Sequence, residues 1–188
     1  MGAAQMQFEL RYQSLADGGA SYSFPCDETG RVEIKTTAVP VKPLLEELSN
    51  LMQPQVAAAG LRFTDVSCDE NVVALGDVER VRQILLNLLG NAVKFTPSGG
   101  DIRVGCEADD STVRLTVSDT GPGIPADKLE EIFKPFVQLQ REGVGSQAGT
   151  GLGLAISRDL ARAMNGDLLV RLPEQQGSQF VVVLPRAR

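Results

Sequence analysis

Residues 83–97 read QILLNLLGNAVKFTP, and two helical periodicities run through them. With Val81 just upstream, Ile84, Leu85, Leu88, Leu89 and Ala92 recur at i, i+3, i+4, i+7, i+8 and i+11, one broad apolar face. Gln83, Asn87, Asn91 and Lys94 recur at i, i+4, i+8 and i+11 and form a polar stripe beside it. Solvated stripes are more often built of Glu and Lys. Asn in a helix interior costs propensity, because its amide competes for backbone hydrogen bonds. Two amides and an ammonium in line fit either a satisfied polar seam or a surface that faces a polyanion and its metal.

Three Gly-rich or aromatic blocks come next. They are DTGPGIP at 119–125, IFKPF at 132–136 and GTGLGL at 149–154. With the helix, they resemble, in order, the N, G1, F and G2 boxes of the sensor histidine kinases, over roughly residues 36–188. The order and spacing of four blocks carry the resemblance; one Gly-rich block alone would not. The last block is not a Walker A loop, since no GK[ST] follows, and its Gly spacing is not that of a dinucleotide fingerprint.

The resemblance implies the Bergerat fold of an ATP-binding catalytic domain, with ATP and Mg²⁺ as cofactors. It assigns Asn91 to Mg²⁺, an amide oxygen being a hard ligand for an ion that takes few protein ligands. Lys94 can set a point charge on phosphate, and Phe95 stands where the family packs an aromatic on the nucleotide. Asp119 can accept from the exocyclic amine of adenine, where guanine carries a carbonyl. Gly121 and Gly123, followed by Ile124, let the backbone approach the base. Phe133 and Phe136 frame a lid over residues 125–149, and ordinary core packing suits both rings equally. Gly149, Thr150, Gly151, Leu152, Gly153 and Leu154 lead into a helix whose N-terminus can meet phosphate. The lid departs from the family at Gln138, where many relatives carry Arg, which leaves Arg141 as the Arg candidate for the γ-phosphate.

Asn87 separates the branches of the superfamily. The gyrase branch has a Glu there to activate water, and an amide cannot take a proton at neutral pH. The reading is therefore a protein histidine kinase domain that presents the γ-phosphate of Mg-ATP to a histidine on a separate dimerisation domain, with Asn87 and Lys94 at the reacting phosphate. The chain contains no histidine, so it lacks its own phosphoacceptor. Expected partners are that His-bearing domain, in cis or in trans, and a response regulator. The alternatives are a degenerate nucleotide-binding module without kinase activity and, less in keeping with Asn87, a gyrase-like ATPase.

Composition agrees with an ordinary globular chain. It has 188 residues, 43% of them apolar and 22% charged, with a net charge of −6. That charge disfavours nucleic acid or an anionic membrane surface as partner. No apolar run nears the ~20 residues needed to cross a bilayer. Cys26, Cys68 and Cys106 form no CxxC pair, and the expectation is a cytoplasmic protein with buried, inert thiols.

Along the chain, residues 1–30 are expected to form an extension or linker and residues 31–188 the catalytic domain. Residues 31–35 (RVEIK) alternate like a strand, and 39–43 (VPVKP) read as a helix entry. The helix that follows puts Leu44, Leu45, Leu48, Leu51 and Met52 on one face, is kinked or shifted at Pro54 and ends at Gly60. Strands are expected at 61–67 and 72–75, then Asp77 as N-cap of the central helix. A hairpin comes after it, 101–107 with 112–118. A short helix is expected at 127–133 and a second long one at 152–164, with Leu152, Ile156, Leu160, Ala163 and Met164 inward. Strands at 167–172 and 180–184 close the chain. This order implies an α+β fold, a two-layer sandwich with a mixed, mostly antiparallel sheet covered on one face by helices.

Overall fold

The computed structural model describes residues 34–139, 150–173 and 176–187. The chain divides into two compact units, Met1–Lys35 and Thr36–Arg188. The second contains, in chain order, β1 (Thr37–Pro40), α1 (Val41–Ala58), β2 (Arg62–Ser67), β3 (Val73–Gly76), α2 (Val78–Phe95), β4 (Asp101–Ala108), β5 (Thr112–Asp119), α3 (Gly153–Ala163), β6 (Asp167–Arg171) and β7 (Ser178–Pro185). The main sheet has the order β2-β4-β5-β7-β6, and β1 pairs with β3 in a separate ribbon. Among the described residues only the β2–β4 pair is parallel. The two-layer, mostly antiparallel expectation is met.

α2 is the central helix. Its buried residues are Val81, Ile84, Leu85, Leu88, Leu89 and Ala92, the six that the periodicity selects. Asp77 caps it, accepting from the Glu79 and Arg80 N–H groups at 3.0 and 3.3 Å. Each Asn in the stripe costs at most about 0.7 kcal/mol of propensity. Each fully buried Leu or Ile returns about 1.5–3 kcal/mol, so packing against the sheet outweighs the stripe. The sheet supplies Ile102, Val104, Val113, Leu115, Val117, Phe180, Val182 and Leu184 to the same core. Their spacing of two along each strand puts them on the helix-covered face.

The structure corrects the sequence reading at several points. Helix α1 continues through the exposed Pro54 to Ala58, and Gly60, with φ 68°, follows its end as expected; Leu51, expected on the buried face, is 56% exposed, on the side of the helix away from the core. The strands at 62–67 and 73–76 do not pair with each other. The first joins β4, and the second joins β1, which reads in sequence as a helix entry because of Pro40 and Pro43. Ile34 and Lys35 are not in a strand, and residues 31–33 lie outside the described residues. In place of one short helix at 127–133 there are two 3₁₀ turns, Ala126–Lys128 and Glu131–Phe133. On α3, Ala155, Ser157, Leu160 and Ala161 are buried and Ala163 is exposed. The small residues let α3 lie close to its neighbours and turn the inward face away from Ala163.

Cys68 and Cys106 are joined in a disulfide, with Cα atoms 4.8 Å apart, where the sequence suggests free thiols. The parallel register sets Ser67 opposite Gly105, so the next residues on the two strands are the two cysteines. This bond staples the edge strand β2 to the sheet, which the Arg62–Asp101 ion pair, with two hydrogen bonds of 2.8 Å, also holds. Cys26 lies outside the described residues. Among the described residues no helix is long and apolar enough to cross a membrane.

The disulfide joins residues 38 apart in sequence. Reduction, or Cys68→Ser with Cys106→Ser, is expected to cost about 2–4 kcal/mol of stability. Urea unfolding with and without dithiothreitol measures it; equal midpoints would mean the pair does not hold the edge strand.

Candidate functional site

Helices α2 and α3 pack antiparallel. At one end the buried Asp77 N–H donates to Met164 Sδ at 3.2 Å. Further along α2, Asn87 Nδ2 donates to Ser157 Oγ at 3.0 Å. A Cβ built on Gly153 would overlap the Asn87 side-chain oxygen, so glycine at 153 lets Asn87 keep this conformation against α3. The first turn of α3 therefore sits beside the C-terminal half of α2. Asn91, one turn and about 6 Å beyond Asn87, and Lys94 lie half-buried along the same stripe. Lys94 Nζ is 5.1 Å from the centre of the Phe95 ring, which is 41% exposed and outside the core.

Asp119 closes β5. It follows Val113, Leu115 and Val117 at intervals of two, so it faces the helix-covered side of the sheet. Its carboxylate accepts the Gly121 N–H at 2.8 Å. A Cβ on Gly121 would stand 2.7 Å from Asp119 Oδ1 and 3.0 Å from the Phe95 carbonyl oxygen at the end of α2. Gly123, with φ 72°, packs against the Gly177 carbonyl, because β7 brings Ser178 opposite Asp119. Ile124 follows, half-buried.

The G2 block meets the F block directly. The Phe136 N–H donates to the Gly151 carbonyl at 3.0 Å. Gly151 has φ 70°, and a Cβ there would lie 2.8–3.0 Å from the Phe136 and Val137 backbone. Phe136 itself has φ 64° and is 73% exposed, an unusual conformation for an aromatic residue. Thr150 accepts from the Leu152 N–H at 3.4 Å. Leu152 makes no side-chain cap for α3, so the first N–H groups of α3, at Gly153 and Leu154, keep their donor capacity for an anion. Phe133 is buried, with its ring centre 4.5 Å from the Arg158 guanidinium. Arg141 and Gly149 lie outside the described residues.

The structure thus brings Asn87, Gly153, Asn91 and Lys94 to one end of α2, with Asp119 and Gly121 against the same helix end. It holds Gly151 under Phe136 and places Phe133 on α3. Sequence reasoning missed Ser157, Arg158 and Gly177. Ser157 was legible as a polar residue on the inward face of α3; Gly177 was hidden by the pairing of β5 with β7.

The sequence and the fold have counterparts among known proteins. A family model described as Histidine kinase-, DNA gyrase B-, and HSP90-like ATPase matches residues 76–188. The sensor protein TorS of Escherichia coli (strain K12) is 41% identical over 177 residues, which is 94% of this chain and 18% of TorS. Full-length ShkA in complex with AMPPNP superposes with a TM-score of 0.72 at 37% identity, covering 83% of this chain and 32% of ShkA. The nucleotide-free catalytic domain of the histidine kinase ThkA gives a TM-score of 0.72 at 27% identity, over 82% of this chain and 99% of that domain. ThkA has also been solved in complex with the response regulator protein TrrA. The chain spans 18–37% of the length of the curated relatives it matches.

The contact of Asn87 with Gly153 is testable by a double-mutant cycle. Gly153→Ala should destabilise the fold by roughly 1–3 kcal/mol through overpacking. In an Asn87→Ala background the same change should be nearly neutral, a coupling that denaturant unfolding resolves. Equal costs in both backgrounds would show that the helices do not meet there.

Proposed function

The chain belongs to the histidine kinase-, DNA gyrase B-, and HSP90-like ATPase family, and within it we propose that residues 31–188 are the catalytic domain of a two-component sensor kinase. In this reading it binds Mg-ATP and presents the γ-phosphate to a histidine on a separate dimerisation domain. Its fold is the Bergerat fold of its structural neighbours. The observation that carries the reading is the convergence of three blocks on the C-terminal end of α2: Asp119 and Gly121, the start of α3, and the Asn87–Asn91–Lys94 stripe.

The roles follow from chemistry at each position. Asp119, already holding the Gly121 N–H, accepts from the adenine amine, while Gly121, Gly123 and Ile124 leave room for the base. Phe95 offers an exposed ring edge to the nucleotide. The N–H groups at Thr150, Gly151, Gly153 and Leu154, with Lys94, neutralise phosphate charge, while the Leu152 N–H is held by Thr150. Phosphoryl transfer needs mainly such positioning and charge stabilisation. Asn91 is the metal-facing residue. Among the described residues no three His, Cys, Asp or Glu gather into a metal cage, and one amide oxygen with phosphates and water is a donor set that Mg²⁺ accepts. Bound there, the ion would draw charge from the phosphate oxygens.

Asn87 donates one N–H to Ser157, keeps its other amide groups for the nucleotide, and has no proton-accepting form at neutral pH. It therefore supplies no base to activate water, which favours transfer to an acceptor from elsewhere over hydrolysis. The acceptor is a histidine that this chain lacks, and a response regulator is the expected next partner, by analogy with the ThkA complex. A cytoplasmic setting supplies ATP.

Asp119→Asn tests the base pocket. The amide can keep the acceptor used by Gly121 and replaces the other oxygen with a donor facing the adenine amine. ATP and ADP affinity should fall by roughly 2–4 kcal/mol, with thermal stability kept. Calorimetric titration checks this; equal affinity in wild type and variant would remove Asp119 from the pocket.

A further inference from the structure

Arg158 lies outside every Gly-rich block, yet it ties three segments together. Its guanidinium stands 4.5 Å from the centre of the Phe133 ring. Its Nη1 donates to Glu130 at 3.1 Å and its Nε to Asp167 at 3.0 Å. The side chain is only 14% exposed. Asp167, at the start of β6, also takes bonds from Arg162 and from the Leu168 N–H. Burial works against the Asp167 charge, but the Arg158 and Arg162 hydrogen bonds outweigh it and hold the carboxyl below its usual range. Arg158 is thus fixed on α3 from one side and grips the segment 126–137 from the other.

That segment contains Phe136, whose N–H holds Gly151 and whose backbone leaves Gly151 no room for a side chain. Gly151 opens the turn into α3. A guanidinium plane satisfies a flat ring, one carboxylate beyond it and a second at its edge; an ammonium cannot do all three.

We infer that Arg158 is a positioning residue for the triphosphate: it fixes residues 126–137 on α3, and they in turn fix the Gly151–Gly153 turn that meets phosphate. The inference rests on the proposed ATP site for its functional meaning. Adenosine, which uses only the base pocket at Asp119, does not depend on this chain of contacts.

Calorimetric titration of the whole chain with ATP and with adenosine, on wild type, R158A and R158K, tests it. R158A should weaken ATP about tenfold and adenosine less than twofold. R158K, which keeps an ion pair but not the fork, should lose about threefold for ATP. An unchanged ratio of ATP to adenosine affinity in both variants would overturn the inference, as would R158K behaving like wild type. Amide hydrogen exchange separates this from the function itself. Residues 131–137 should exchange faster in R158K than in wild type while β4 and β5 keep their protection. If the wild type binds no ATP, the functional reading fails; unchanged exchange at 131–137 in R158K overturns the role of Arg158 on its own. Should R158A not fold, R158K and Glu130→Gln, which alters a side chain 83% exposed, carry the comparison, with faster exchange at 131–137 expected in both and wild-type exchange in both counting against it.

Discussion

Glycine at 153 lets the first turn of α3 rest on the amide of Asn87, and most of the site depends on that contact. A side chain at 153 would displace either the Asn87 amide or the first turn of α3. The hydrogen bond from Asn87 to Ser157 fixes the register of the two helices. At their other end the Asp77 N–H on Met164 Sδ does the same. The polar stripe is thus partly a seam between the helices, and in the proposed reading its far end faces the nucleotide. Asn87 belongs to the seam by its visible bonds, and Asn91 and Lys94 extend from it towards the open end.

This division bears on chemistry. An Asn that holds a neighbouring helix is a stable fixture, and it offers no basic site for water. The same contact that shapes the phosphate turn therefore leaves hydrolysis without a base at that position. The proposed base pocket lies apart from this contact, at the end of β5. There, strand alternation alone points Asp119 to the helix side, and crowding by Phe95 and Gly177 explains the glycines that follow it.

Much of this is legible in the sequence because the signals are local. The face of α2, the cap at Asp77, the hairpin of β4 and β5 and the inward parity of Asp119 each follow from spacing within one element. Asn165, with φ 60°, closes α3 as its place before Gly166 suggests. The parts that are not legible depend on pairing between distant segments. The parallel partner of β2 sets Cys68 beside Cys106, and no spacing along the chain reveals it. The ribbon of β1 and β3 is masked by prolines that read as a helix entry. The inward face of α3 misleads at Ala163 because small residues, not large ones, make its close contacts. Arg158 carries no signal in a sequence of scattered charges, and it is wedged between a ring and two carboxylates.

The proposed role of this domain is to present a γ-phosphate to a histidine on another domain, and the chain itself contains no histidine. The most direct measurement is incubation with γ-labelled Mg-ATP, first of the chain alone and then with a histidine-bearing helical dimerisation domain of a sensor kinase supplied in trans, at high concentration because the two are not tethered. The chain alone should bind nucleotide, release phosphate very slowly and take up no acid-labile label, while the helical domain becomes labelled. Brisk hydrolysis by the chain alone would contradict this, and so would tight ATP binding without any transfer to that histidine.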